Sequence, residues 1–226
     1  MSSIEKIDSN FQNKSAYRDD MKLYNVRSEP FDLYGFYRPL DEGKFRRIPE
    51  SVASAASEGA LYLSTNTSGC RVRFKTDSKY VILKTVMPSV HIMPHMPLSG
   101  SAGFDLYVGK DFFGCYVPCF EYEGFDPVIK ASGGYEGIIE FPDRKIRDIT
   151  INFPLYNDVS DVFIGLSEDA NVEHGESYRV KTPVVFYGSS ITQGGCASRP
   201  GCIYQNILSR RFDFDYREPL KIDSLS

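Results

Sequence analysis

The sequence predicts a mainly β chain, an N-terminal antiparallel β-sandwich or jelly roll followed by the opening strand-helix unit of an α/β domain. Three observations carry that reading. Short runs of period-two alternation recur from about residue 61, with turn residues between them. Helical periodicity is almost absent before residue 200. The pattern then changes at 183–212, where a strand apolar on both faces leads through small residues into apolar side chains at helical spacing.

Residues 1–30 are polar without a clear period and read as a polar lead or as a strand added at a sheet edge. From Phe31-Asp-Leu-Tyr-Gly-Phe-Tyr-Arg-Pro39 to Pro49, aromatic residues sit among Gly and Pro, which suits short extended pieces laid over a core. Residues 51–60 fit a helical turn or a polar loop, and Leu61-Tyr-Leu63 reads as the first short strand. Arg71-Val-Arg-Phe-Lys75 alternates strictly, the period that sends one face to a core and the other to water. Residues 80–86 repeat the habit with β-branched side chains. A hairpin follows, 103–108 against 112–120, with Gly109 supplying the positive φ of its corner. Runs at 136–141, 148–153 and 161–166 complete the series, so the sandwich is expected over 31–178.

Tyr178-Arg-Val-Lys-Thr-Pro183 reads as a linker into a second unit at 179–226. In that unit Pro183-Val-Val-Phe-Tyr187 is a strand expected between helices, Pro200 suits a first helical turn, and Tyr204, Leu208 and Phe212, with Ile203 and Ile207 beside them, form one apolar helical stripe. Strand, sharp turn, helix is how a parallel α/β sheet begins. The tail from Asp213 is increasingly polar and does not read as a buried strand.

Composition narrows the partners. The chain of 226 residues is 42% hydrophobic and 25% charged, with 15 Tyr and 16 Phe, ample material for a core. Thirty acids against 26 bases give a net charge of −4 with no basic block, which argues against nucleic acid. No apolar run approaches the ~18 residues of a membrane span. The polar N-terminus lacks the apolar core of a secretory signal, so the expected compartment is the cytoplasm and the five cysteines are expected as free thiols.

The chemistry sits in Val184-Val-Phe-Tyr-Gly-Ser-Ser-Ile-Thr-Gln-Gly194. A serine at the corner where a strand becomes a helix exposes its hydroxyl and can aim its own N–H at a developing oxyanion, and flanking glycines let backbone approach a substrate. Ser190 holds that place, with Gly188 and Gly194 beside it. On spacing alone the stretch fits an ordinary turn rich in small residues equally well.

Tyr187-Gly-Ser-Ser-Ile-Thr-Gln-Gly-Gly-Cys-Ala-Ser-Arg-Pro-Gly201 resembles the first block of the SGNH (GDSL-type) esterases, in the branch whose N-terminal β domain carries a GxDLY motif. That motif stands here as Gly103-Phe-Asp-Leu-Tyr107, preceded by Met93-Pro-His-Met-Pro-Leu-Ser-Gly100 and followed by Ile151-Asn-Phe-Pro-Leu-Tyr-Asn157, strings similar to the same branch. The resemblance implies a flavodoxin-like SGNH hydrolase domain after the sandwich. It also implies an ester hydrolase, often of acyl groups on carbohydrates, with no metal or organic cofactor. Ser190 would be the nucleophile and an oxyanion donor, and Ser189 the weaker candidate. The family's Gly-Asp-Ser-Leu is here Gly188-Ser189-Ser190-Ile191, without the Asp.

The family draws a Gly and an Asn for its oxyanion hole, and an Asp-x-x-His for its base, from later blocks, yet no histidine follows Ser190. A serine without its base is a poor nucleophile. The expectation is therefore a shortened gene product, from a frame change near Tyr216 or an early stop, feeble in catalysis. Its unpaired strand and helix are expected to pack on the sandwich, self-associate or stay mobile. The alternative is a free-standing sandwich that binds carbohydrate or protein.

Other residues read more plainly. His91 and His95 lack further ligands for a metal and read as rim residues, and His174 as a solvated turn. Cys115 and Cys119 read as small buried hydrophobes, Asp105 as an acceptor of hydrogen bonds where its strand turns, and Glu121 and Glu123 as an exposed strand face rather than a glycosidase pair.

Overall fold

A computed structural model describes residues 15–119, 121–123, 126–128 and 133–218, without the side chains of 121–123 and 126–128. In chain order its elements are β1 (Met21–Asn25), β2 (Asp32–Tyr34), α1 (Glu50–Ala56), α2 (Glu58–Leu63), β3 (Arg71–Thr76), β4 (Tyr80–Val86), α3 (Leu98–Ser101), β5 (Phe104–Val108), β6 (Asp111–Tyr116), β7 (Glu121–Glu123), β8 (Asp126–Val128), β9 (Tyr135–Glu140), β10 (Arg147–Asn152), β11 (Asp161–Ser167), β12 (Val172–His174), β13 (Val180–Val185), α4 (Tyr204–Phe212) and β14 (Phe214–Arg217). Two antiparallel sheets make a sandwich, one ordered β1-β11-β4-β9 and the other β12-β3-β10-β5-β6, with β2 added against β3.

Period-two alternation sends Val72 and Phe74, Leu106, and Ile149 and Ile151 from one sheet against Val81 and Leu83, and Val162, Ile164 and Leu166 from the other. At one end of this core Phe36, Phe45, Phe104 and Phe153 interlock, with ring centroids 4.7–5.6 Å apart. Each fully buried ring of this kind contributes roughly 1.5–3 kcal/mol over leaving it in water.

Four expectations change at this level. β1 pairs with β11 at a sheet edge, from Met21 opposite Ser167 to Asn25 opposite Phe163, so the sandwich begins within the polar lead. An edge strand with one wetted side shows little period. Leu61–Leu63 belong to α2, because extended Ser57 caps that helix by accepting the Ala60 N–H at 3.0 Å. His174 ends β12, where it meets Asp32 and Glu29. The polar face of β3 is not in water, for Arg71 is 1% and Arg73 8% exposed. Asn66, within a sequon, is buried and donates to Asp158 Oδ1.

What covers β3 is the terminal unit. β13 and β14 pair in parallel, Val180 with Phe214 and Val184 with Tyr216, and α4 connects them, ending at left-handed Asp213. The tail thus contains a strand, contrary to its polar reading, since alternation buries Tyr216 while Asp215 and Arg217 turn to other partners. α4 is also rotated from expectation. Its buried residues are Gln205, Asn206 and Ser209, while Tyr204, Ile207 and Phe212 are 40%, 47% and 48% exposed. Each buried polar side chain makes a hydrogen bond: Gln205 Nε2 donates to Thr192 O, Asn206 Nδ2 to Pro200 O and Ser209 Oγ to Phe214 O. Val184 and Val185, whose side chains leave the strand on opposite sides, are both exposed, so the strand expected to be covered on both faces is open on both. Among the described residues, no helix is long and apolar enough to cross a membrane.

Candidate active site

Ser190 lies in a run of turns at 190–196 beyond β13, and the helix waits until Tyr204. The turn closes on itself, because Gly195 N–H donates to Ser190 O at 2.8 Å and Gln193 N–H to Ser189 O at 3.1 Å. Ser190 is exposed, and among the described residues neither its hydroxyl nor its N–H makes a hydrogen bond. A hydroxyl open to substrate beside an uncommitted N–H is what acyl transfer needs. Ser189 is exposed as well, and its carbonyl, like that of Ser190, accepts a hydrogen bond inside the turn.

The glycines are required by crowding. A Cβ on Gly188 would overlap Thr192 Oγ1. Gly194 has φ +92°, and a Cβ there would strike Ile203 and Leu155. The structure therefore brings Gly188, Ser190 and Gly194 into one compact turn.

The sandwich fastens this turn, and the unit that carries it, through side chains contributed by several of its elements. Tyr156, from the loop after β10, donates its hydroxyl to Ser190 O at 3.0 Å. Gln193 is held by Ser68, which donates to its carbonyl at 2.8 Å, and by Arg47, whose guanidinium reaches its Oε1 at 3.3 Å. Arg47 also pairs with Glu218 at 3.3 Å, and both are buried. Burial pushes the Glu218 carboxyl up to about 7, against the pull of Arg47 and Ser68.

Asp105 of the GxDLY motif does accept hydrogen bonds, but one donor lies across the joint. Asn152 Nδ2 donates to it at 2.8 Å and Gly201 N–H, in the terminal unit, at 2.7 Å. Burial raises this carboxyl to about 6, and the two hydrogen bonds and Arg199 oppose the rise. Arg71 fastens the terminal unit as well. It donates to Tyr178 Oη at 2.7 Å and Asp215 at 2.6 Å and stacks on the Tyr216 ring at 4.2 Å.

The three histidines stand apart from Ser190. The His91 ring meets Ser89 Oγ, His174 pairs with Asp32 and Glu29, His95 is exposed, and none bonds the serine hydroxyl. Among the described residues, no three His, Cys, Asp or Glu side chains gather as metal ligands. Cys119 is exposed and Cys115 half-buried, which corrects the reading of both as buried. The side chains of Glu121 and Glu123 lie outside the described set.

The missed residues left faint signals. Tyr156 falls inside the Ile151–Asn157 string singled out by resemblance, but nothing in its spacing says what it touches. Arg71 was visible only as the polar half of an alternating strand.

Comparison with known families matches residues 21–172 to the N-terminal GxDLY domain of SGNH-type esterases, and residues 181–216 to the GDSL-like lipase/acylhydrolase family. Among solved structures, the chain resembles a putative GDSL-like lipase from Bacteroides ovatus, at 26% identity and TM-score 0.72 over 88% of this chain and 57% of that one. It also resembles the salicylyl-acyltransferase SsfX3 of a tetracycline biosynthetic pathway, at 17% identity and TM-score 0.68 over 90% and 55%. A third likeness is to a family two carbohydrate esterase from Cellvibrio japonicus, at 9% identity and TM-score 0.53 over 89% and 52%. The chain thus spans little more than half the length of these proteins. No curated protein matches it.

Proposed function

Because the chain belongs to the SGNH-type esterases that carry a GxDLY N-terminal domain, we propose that it is the nucleophile-bearing part of a carboxylic-ester hydrolase. The substrate is an acylated carbohydrate or a small ester. The reading rests above all on the Ser190 turn, whose hydroxyl and N–H are open while its carbonyl is anchored by Gly195 and by Tyr156 of the sandwich. In the reaction Ser190 Oγ attacks the acyl carbonyl, the oxyanion forms against the Ser190 N–H, the alcohol leaves, and water releases the acid from the acyl-enzyme. The carbohydrate part of the reading draws on the fold shared with the Cellvibrio japonicus carbohydrate esterase.

Among the described residues no base reaches the Ser190 hydroxyl, so this polypeptide alone is expected to hydrolyse esters barely above background. The base and the remaining oxyanion donors belong to the later part of a hydrolase domain. Val184, Val185, Tyr204 and Ile207 are exposed apolar side chains of the terminal unit against which that part would pack, and in the 226-residue polypeptide they favour self-association. A free-standing binding module is less well supported, since Asp105 and Arg71 spend their buried charge on the terminal unit.

The test joins residues 1–218 to the later part of the Bacteroides ovatus GDSL-like lipase and assays an aryl acetate and an acetylated xylo-oligosaccharide. Turnover of both, abolished by Ser190→Ala, is expected. Activity that survives Ser190→Ala but not Ser189→Ala would move the nucleophile by one residue, and indifference to the sugar would remove the carbohydrate reading.

A further inference from the structure

We propose that the cleft between the outer face of the six-stranded sheet and the last turn of α4 binds a small phosphate group. This goes beyond the hydrolase reading and does not depend on it, for no residue of the Ser190 turn lines the cleft. The cavity measures about 160 Å³. At ~30 Å³ per water it has room for about five waters or one compact oxyanion. Arg73, Lys110, Asp148, Tyr178 and Arg210 are among its lining residues.

Its charges are unevenly committed. Arg71 uses every guanidinium nitrogen, on Tyr178, Gly69 and Asp215. Arg73 is 8% exposed, yet only one nitrogen is engaged, with Asp148 at 2.9 Å. Among the described residues its Nε and NH1 are buried without a hydrogen-bond partner. Arg210 repeats the pattern, donating once to Gly201 O at 2.7 Å and leaving NH1 buried and unpartnered. The guanidinium of Arg73 lies over Tyr178 at 4.4 Å and that of Arg210 over Tyr107 at 4.1 Å, so the in-plane N–H edges are what remain for a ligand.

The lining carboxylates are already spent. Asp148 also accepts the Glu176 N–H, Asp213 accepts the Arg179 N–H, and Glu176 pairs with Lys75. Buried donors left unpaired are costly, so a group rich in acceptors fits the vacancy in hydrogen bonding. One acceptor, Asn152 Oδ1, is unpartnered too, because the Asn152 amide nitrogen is held by Asp105. An oxyanion that keeps one hydroxyl hydrogen, as hydrogen phosphate does, supplies acceptors for the Arg73 and Arg210 donors and a donor for Asn152 Oδ1; sulfate lacks the donor.

Thermal unfolding of the 226-residue chain at pH 7 tests this, with inorganic phosphate or sulfate replacing chloride at fixed ionic strength. Phosphate is expected to raise the midpoint saturably, by about 3 to 5 °C at ten times the half-saturating concentration. Sulfate should do less, Arg210→Gln should weaken the response at least tenfold, and Arg144→Gln, on an exposed ion pair elsewhere, should leave it intact. A rise without saturation, or one unchanged in Arg210→Gln, would overturn the site, and an equal response to sulfate would overturn the role of Asn152. Should Arg210→Gln fail to fold, hydrogen exchange of the unaltered chain decides. Phosphate must slow exchange at residues 173–179 and 206–213 selectively, and a uniform or absent effect contradicts the proposal.

Discussion

Between its sheets the sandwich buries Phe36, Phe45, Phe104 and Phe153, whereas the joint that fastens the terminal unit to it buries Arg47, Arg71, Asp105, Gln193, Gln205 and Glu218. The first kind of burial is non-directional and tolerates slack; the second works only when each donor meets its acceptor. The contrast explains why the terminal unit keeps its apolar side chains on the outside. Its inner side meets the sandwich through these polar contacts and one small apolar cluster of Ile203 with Leu155 and Met96, while Val184, Val185, Tyr204 and Ile207 stay exposed.

Removing a ring from the sandwich should have the largest effect. Phe153→Ala is expected to cost about 3–5 kcal/mol and unfold the whole chain at lower urea. Breaking the joint should act more locally. Arg71→Met leaves Asp215 without its cation, costing about 3 kcal/mol, with faster exchange at 180–217 than in the sheets. If Arg71→Met instead loosened both regions equally, the joint would be part of one core and the contrast would fail.

The joint should also respond to pH. Burial raises the Glu218 carboxyl from 4.5 to about 7, so the folded state holds its proton more tightly than the unfolded chain. Its stabilising effect is complete below about pH 4.5, falls as pH rises and is lost by about pH 7, a change of about 3 kcal/mol. Glu218→Gln should flatten that slope in urea midpoints measured across this range. The smallest effect on stability belongs to the outer face. Val185→Lys with Ile207→Lys should change stability by no more than about 0.5 kcal/mol while reducing the self-association proposed for these exposed apolar side chains, read by light scattering.

The sandwich was legible because alternation reports burial directly wherever one face is apolar, as in Val72 and Phe74 or Ile149 and Ile151. The same rule misled at Arg71 and Arg73, since a polar face can be buried when another element supplies its partners. It misled again in α4, where Tyr204, Ile207 and Phe212 marked an apolar stripe that this chain leaves uncovered. At the candidate site the Gly188-Ser-Ser190 corner was readable from small residues after an apolar strand. Tyr156, Gln193 and Glu218 were not, because their roles depend on contacts across the joint that no local pattern encodes.

Hydrogen exchange of the 226-residue chain at pH 5, read by mass spectrometry, tests most directly whether the nucleophile turn is seated on the sandwich. Protection of β13 and β14 is expected well above that of an unstructured chain, below that of β4 and β10, and lost in Arg71→Met. Unprotected amides across 180–217 beside a protected sandwich would contradict it.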